Sequence, residues 1–239
     1  MICRPWAFAD EGEDADMLEM GWLLLDHQYK GRECWYQSRS TRIDLASYVP
    51  RFRHHNHNGQ QVKVKHIIPG SEDDLKLVGI QTVYKHYIKR KKFKDLYDPL
   101  SYVCPRTSFL LFYLGDELVG FTKMRQYHWH EELLDASDNI LFPEISGRGS
   151  SPGMESVLHA STVPISAITA DLEIQWARDN GAHTYYMGSG YERGSEYKAS
   201  YKGFEWWTGE VWSTQKKTYR RLCKRDSDIE LIRDLRNAK

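Results

Sequence analysis

The residues best suited to chemistry lie between Tyr185 and Trp212, a stretch dense in tyrosine, tryptophan, glycine and lysine together. Aromatic faces and lysines with little aliphatic filler make a poor core, because each hydroxyl, indole N–H or ammonium needs a partner once buried. Glycines at 188, 190 and 194 allow sharp turns or close approach to a ligand. The stretch reads as the floor of a binding cleft, or else as a tyrosine-rich hairpin at a sheet edge. Two basic clusters add phosphate-contacting chemistry. Six cationic residues fall between Lys85 and Lys94, among them Lys89, Arg90, Lys91, Lys92 and Lys94. A second set, Lys216, Lys217, Arg220 and Arg221, follows the aromatic stretch. Both clusters also fit a solvated helix face.

Composition narrows the class. The chain has 239 residues, 33 basic and 33 acidic, so electrostatics must come from local clustering. Cys3, Cys34, Cys104 and Cys223 form no CxxC pair, which argues against zinc ribbons and thioredoxin-like chemistry and suggests a reducing cytoplasm. His54, His55 and His57 lie close together, but no carboxylate or cysteine stands at ligand spacing, so no metal site is expected. No apolar run approaches the roughly 20 residues of a membrane helix, and the start lacks the marks of a signal peptide.

The elements that must position these residues can be read in order. Acidic residues 10–19 begin a short helix that ends at Gly21. Residues 22–48 alternate as strands, 50–59 form a polar loop or short helix, and 62–67 form a strand. Residues 71–97 read as a helix whose face carries Leu75, Val78, Gly79, Thr82, Val83 and Tyr87, with Ile88 at its margin. Residues 107–125 make a hairpin turning at Gly115-Asp116-Glu117, and 126–153 make a mobile insertion. A strand at 154–160, a helix entered at Pro164, and a strand at 183–187 then lead into the aromatic stretch.

That order is the order of GNAT-type acyltransferases, in which two parallel strands splay and the gap receives the acyl donor. The expected fold is a single α/β GNAT-like domain, with a mostly antiparallel sheet, a parallel splay and flanking helices. Residues 1–70 form an N-terminal subregion and 71–239 the acyltransferase core. In detail the chain resembles the arginyl-tRNA–protein transferase family. Ser166, Glu173, Ile174, Ala177, Gly181, Tyr185, Tyr186 and Gly188 fall on its "Ser-Leu-Gly … Glu-Ile … Tyr-Tyr-Leu-Gly-Tyr" segment, and Tyr197-Lys198 on its Tyr-Lys. Residues 17–22, 34–53 and 84–88 are compatible with its front half. The family's cysteine cluster is reduced to Cys34, its Pro-Lys-Met is absent, and Tyr191-Glu192-Arg193 stand in a shortened loop.

The resemblance implies aminoacyl transfer from a charged tRNA, or an acyl-CoA-like thioester, to a protein or base amine. No other cofactor is assigned. Such transfer needs a polarised carbonyl, a base for the amine and a proton for the leaving group. Glu192 is the candidate base, with Glu205 second. Tyr186, Tyr191, Tyr197 and Tyr201 are candidate acids or orienting groups, and Lys198 and Lys202 candidate phosphate or 3′-end contacts. Ser166, Gly188 and Ser189 would line the donor site. A second reading is DNA-base modification similar to phage Mom-type proteins, with Trp206 and Trp207 stacking an extruded base. A third is a binding module that kept the fold and lost activity.

Overall fold

The computed structural model describes residues 4–8, 13–29, 32–70, 77–91, 98–100, 103–104, 106–127, 153–191 and 193–229. In chain order the elements are β1 (Arg4–Ala7), α1 (Asp14–Glu19), β2 (Trp22–Tyr29), β3 (Arg32–Gln37), β4 (Ser40–Asp44), β5 (Asn56–His57) and β6 (Gln60–Ile67). There follow α2 (Val78–Lys91), β7 (Thr107–Leu114), β8 (Glu117–Tyr127), β9 (Gly153–Ser161), α3 (Ser166–Asp179) and β10 (Thr184–Ser189). A 3-10 helix (Arg193–Ser200), β11 (Phe204–Trp207), β12 (Trp212–Ser213) and α4 (Lys216–Arg225) complete the described chain.

A nine-stranded sheet, ordered β12-β11-β4-β10-β9-β8-β7-β6-β5, forms the frame, and β1-β3-β2 form a separate small sheet. The large sheet is mostly antiparallel, with β9 and β10 its parallel pair. The N-terminal 70 residues are thus divided between the sheets, since β4 sits inside the large one, between β10 and β11.

Strand alternation sends successive side chains to opposite faces. Leu110, Phe112, Tyr185 and Met187 meet Ile174 and Ala177 of α3 and Leu222 of α4. Phe109, Leu111, Phe121 and Ala160 meet Ile80, Val83, Tyr84 and Ile88 of α2 on the other face. A third cluster joins Trp22, Leu23, Leu24 and Trp35 to Tyr127 and Tyr186.

Several expectations shift. The buried face of α2 is Leu77, Ile80, Val83, Tyr84 and Ile88, and Thr82 is exposed. The 3.6-residue period fits either neighbouring face, and the larger apolar side chains take the core. Residues 71–76 and 92–97 lie outside the described residues. The helix expected from Pro164 starts at Ser166, with Ile165 at its N-cap. Glu117 belongs to β8, opposite Leu114, so the hairpin turn is Gly115-Asp116 alone. Tyr127 pairs with Gly153, so the insertion shortens to 128–152, which lies outside the described residues.

Inside the supposed polar loop at 50–59, Asn58 and Gly59 (φ 49° and 80°) turn β5 onto β6. Asn-Gly is the preferred pair for such a two-residue turn, because both positions need positive φ. Gly203 has φ +75°, and a Cβ there would lie 2.2 Å from the Asp44 carbonyl oxygen. Gly203→Ala is expected to destabilise the chain by about 1–3 kcal/mol through backbone strain. Urea unfolding measures this, and an unchanged midpoint would contradict it.

Candidate functional site

β9 and β10 pair over only three positions, Gly153↔Thr184, Met154↔Tyr185 and Glu155↔Tyr186. Beyond Glu155, β9 stays on β8 as far as Ser161, with a bulge that skips Val157. β10 stays on β4 and meets Ser40 again at Ser189 after its own irregularity. Past this point the other edge of β9 has no strand among the described residues. Backbone groups on such an edge have no ladder partner among the described residues.

With the ladder to β9 ended, side chains take the acceptors at the end of β10. Thr41 Oγ1 donates to the Gly188 carbonyl at 2.7 Å. Lys198 Nζ donates to the Met187 and Ser189 carbonyls at 2.6 and 2.5 Å. Lys198 therefore fixes the edge of the gap. It is buried, and its ammonium is committed to backbone, which corrects the expected phosphate or catalytic role.

The aromatic stretch is also corrected. Tyr185, Tyr186, Tyr201, Phe204, Trp206 and Trp207 are all buried. These residues belong to the core: the phenols of Tyr186 and Tyr201 find partners, whereas the indole N–H groups of Trp206 and Trp207 are buried with none among the described residues. Tyr186 OH donates to Glu19 Oε1 at 3.0 Å, and Tyr201 OH to the Ala167 carbonyl at 3.0 Å. Burial, reinforced by Glu19 for Tyr186 and by Tyr197 for Tyr201, raises both phenols well above their ordinary value. Neither is placed to give up a proton at neutral pH. Glu205 pairs with Arg42 Nε at 2.7 Å, and Arg42 also holds Glu19 and lies 4.1 Å over the Trp212 ring. Glu205 and Tyr186 thus anchor α1 to the sheet. Trp206 and Trp207 lie under neighbouring residues and offer no face to an extruded base.

The remaining expected residues divide. Ser166 opens α3, while Ser189, Gly188 and the partly buried Tyr191 stand at the gap end of β10. Tyr197 is exposed and packs edge-on to Tyr201, and Lys202 is exposed. Glu192 lies outside the described residues, as do Lys92 and Lys94. Lys89, Arg90 and Lys91 are exposed on the last turn of α2, with Arg90 reaching the Thr162 carbonyl. Lys217 and Arg221 are exposed on α4. Arg220 holds the Ala199 carbonyl, and Lys216 the Tyr201 carbonyl at 2.6 Å. Burial, then Arg220, lowers the Lys216 pKa. α2 and α4 pack on opposite faces of the sheet, so the two clusters do not merge into one patch.

Sequence reading missed a polar cluster beside the gap, on the α3 face. His159 of β9 places Nδ1 2.9 Å from Thr122 Oγ1 and 3.1 Å from Glu173 Oε1. Thr122 donates to Glu173 Oε1 at 2.7 Å, and Tyr185 OH to Glu173 Oε2 at 2.6 Å. Ser156 of β9 also hydrogen-bonds the Tyr185 phenol. The Glu173 side chain is 4% exposed and that of His159 22%. The available signal was Glu173 itself, which shares the buried side of α3 with Ala170, Ile174 and Ala177. A charge there needs a buried partner.

His55 does not join its neighbours in a metal cluster. Its Nε2 turns onto Asp171 at 2.9 Å. His66 stacks on Trp176 with ring centroids 4.5 Å apart, and burial lowers its pKa. Its folded form therefore disfavours the proton. Stability is full above the unfolded value of about 6.5 and falls as pH drops below it. His66→Phe should flatten the slope of unfolding free energy below about pH 6.5. An identical slope in wild type and variant would contradict this.

No family model and no curated protein matches the chain, so these comparisons give the likeness to arginyl-tRNA–protein transferases no support. Among solved structures, the chain is similar to the C-terminal (DUF2156) domain of a protein described as a lysylphosphatidylglycerol synthetase from Agrobacterium fabrum. Identity is 8% and the TM-score 0.43, over 64% of this chain and 46% of that one. The likeness is too slight to transfer residue roles, and none is transferred.

Proposed function

We propose that the chain is a GNAT-type acyltransferase that moves an acyl group, foremost an aminoacyl group from charged tRNA, to an amine. The observation that carries this reading is the parallel β9/β10 pair, which parts after three positions and leaves one edge of β9 open. Hairpin β7–β8, β9, α3 and β10 follow one another in the order of that fold. An open strand edge supplies backbone N–H groups that stabilise an oxyanion better than water, because they need no reorganisation. The exposed cations at the end of α2 give a tRNA phosphate surface separate from the gap. The buried Trp206 and Trp207 favour this reading over DNA-base modification, which needs exposed stacking faces.

The test uses purified protein, tRNA charged with labelled amino acids, a labelled acyl-CoA, and peptide and DNA acceptors. Label passing from tRNA to an amine is expected. Transfer from acyl-CoA alone would move the donor assignment, and altered DNA nucleosides would favour the second reading. Lys89→Ala with Lys91→Ala should weaken tRNA binding and flatten its dependence on log salt by about one for each phosphate no longer neutralised. Unchanged affinity and slope would remove α2 from the interface.

A further inference from the structure

We infer that His159 is the proton acceptor of this site and that Glu173 is its positioning residue. The inference rests on the acyl-transfer reading above. Thr122 has one hydroxyl proton and gives it to Glu173 Oε1 at 2.7 Å. It therefore has none to give Nδ1 of His159, 2.9 Å away. A bare Nδ1 lone pair would also face the Glu173 carboxylate at 3.1 Å. In the neutral ring Nδ1 thus carries the proton and donates it, and the lone pair resides on Nε2.

Among the described residues, the hydrogen-bond partner of Nε2 is Thr169 Oγ1 at 3.4 Å, and that hydroxyl is also offered the Ser166 carbonyl at 3.2 Å. Of the pair, the imidazole is the partly exposed member and the carboxylate the enclosed one. His159 lies on the part of β9 whose edge is open, beyond the last β10 pair. The groups packed around it are Glu173 and Thr169 from α3, Thr122 from β8, Phe112 from β7 and, through Glu173, Tyr185 from β10. Glu173 is the one carboxylate among them.

In the reaction an amine nitrogen bonds to the acyl carbon and the bond from that carbon to the leaving oxygen or sulfur breaks. The amine's surplus proton passes to His159 Nε2. The imidazolium then returns it to the leaving atom, so no other reactant is consumed.

The experiment compares wild type, His159→Ala and Glu173→Gln with charged tRNA and acyl-CoA as donors. His159→Ala is expected to lose 10²–10⁴-fold in kcat, by order of magnitude, with the donor KM unchanged. Added imidazole should restore part of the rate, whereas pyrazole, a non-basic isostere, should not. A folded His159→Ala variant with kcat within about threefold of wild type would overturn the inference, as would equal rescue by both azoles. If the variant does not fold, ¹⁵N NMR of the wild-type imidazole decides. Protonated Nδ1 with a bare Nε2 at pH 8 is expected, lost in Glu173→Gln, and the opposite tautomer in wild type overturns the assignment. Wild type that transfers label from neither donor would sink the transfer reading itself. The tautomer would still be read without any substrate.

Discussion

Asp226→Asn is expected to cost about 3–5 kcal/mol of stability, the usual loss when one partner of a buried ion pair is removed. Asp226 caps the C-terminus of α4, and its carboxylate meets Arg39 Nη2 at 2.5 Å with both side chains fully buried. Arg225 adds two contacts, each 2.9 Å. Arg39 occupies the β3–β4 turn at φ 34° and also reaches the Tyr191 carbonyl at the end of β10. One ion pair therefore joins α4, the β3–β4 turn and the strand that borders the gap. Burial pushes the Asp226 carboxyl up, but hydrogen bonds from Arg225 and Arg39 outweigh it and hold the pKa below its ordinary value. Its stabilising contribution is present above the unfolded value of about 3.9 and is lost as pH falls through the folded value. The Asn variant's deficit in urea unfolding should therefore shrink in acid. A deficit under about 1 kcal/mol at neutral pH would contradict the account.

Asp171→Ala should open the loop at 48–55. The buried carboxylate accepts from Tyr48 OH at 2.6 Å, the Arg51 and Phe52 amides at 2.9 and 3.1 Å, and His55 at 2.9 Å. Burial, then Asp171 itself, raises the Tyr48 phenol, which stays a donor. Hydrogen bonds to a charged group are worth about 1.5–3 kcal/mol each, so the loss should reach about 3 kcal/mol or more. Amide exchange at Arg51 and Phe52 should rise well above that of β6. Protection equal to wild type would show that the loop is held by other contacts.

The strands and helices were legible because alternation and the 3.6-residue period survive burial. β7, β8, β9, α3 and β10 fall close to where the sequence places them. The β5–β6 turn is equally legible in Asn58-Gly59, but the polar, basic run around it reads as a loop or short helix instead. The site was harder to read. Tyr186, Tyr201, Lys198 and Glu205 have the types that catalysis uses, yet each is spent on a carboxylate, a carbonyl or an ion pair. Type and spacing do not reveal whether a polar group has found a partner, because the partner lies far off in the chain. Lys198 meets carbonyls eleven and nine residues away, and Glu205 meets an arginine 163 residues away. His159 and Glu173 are 14 residues apart, on different elements, and only the packing of α3 on β9 joins them.

The central claim is that the open edge of β9 receives an acyl donor, and a transfer assay on the wild-type chain tests it most directly. Purified protein is given tRNA charged with labelled amino acids or a labelled acyl-CoA, together with an amine acceptor. The predicted result is label in an amide product, abolished when a non-hydrolysable donor analogue fills the gap and slows exchange of the Ser156–Ser161 amides. Folded protein that forms no amide from either donor, with those amides exchanging as before, would contradict it.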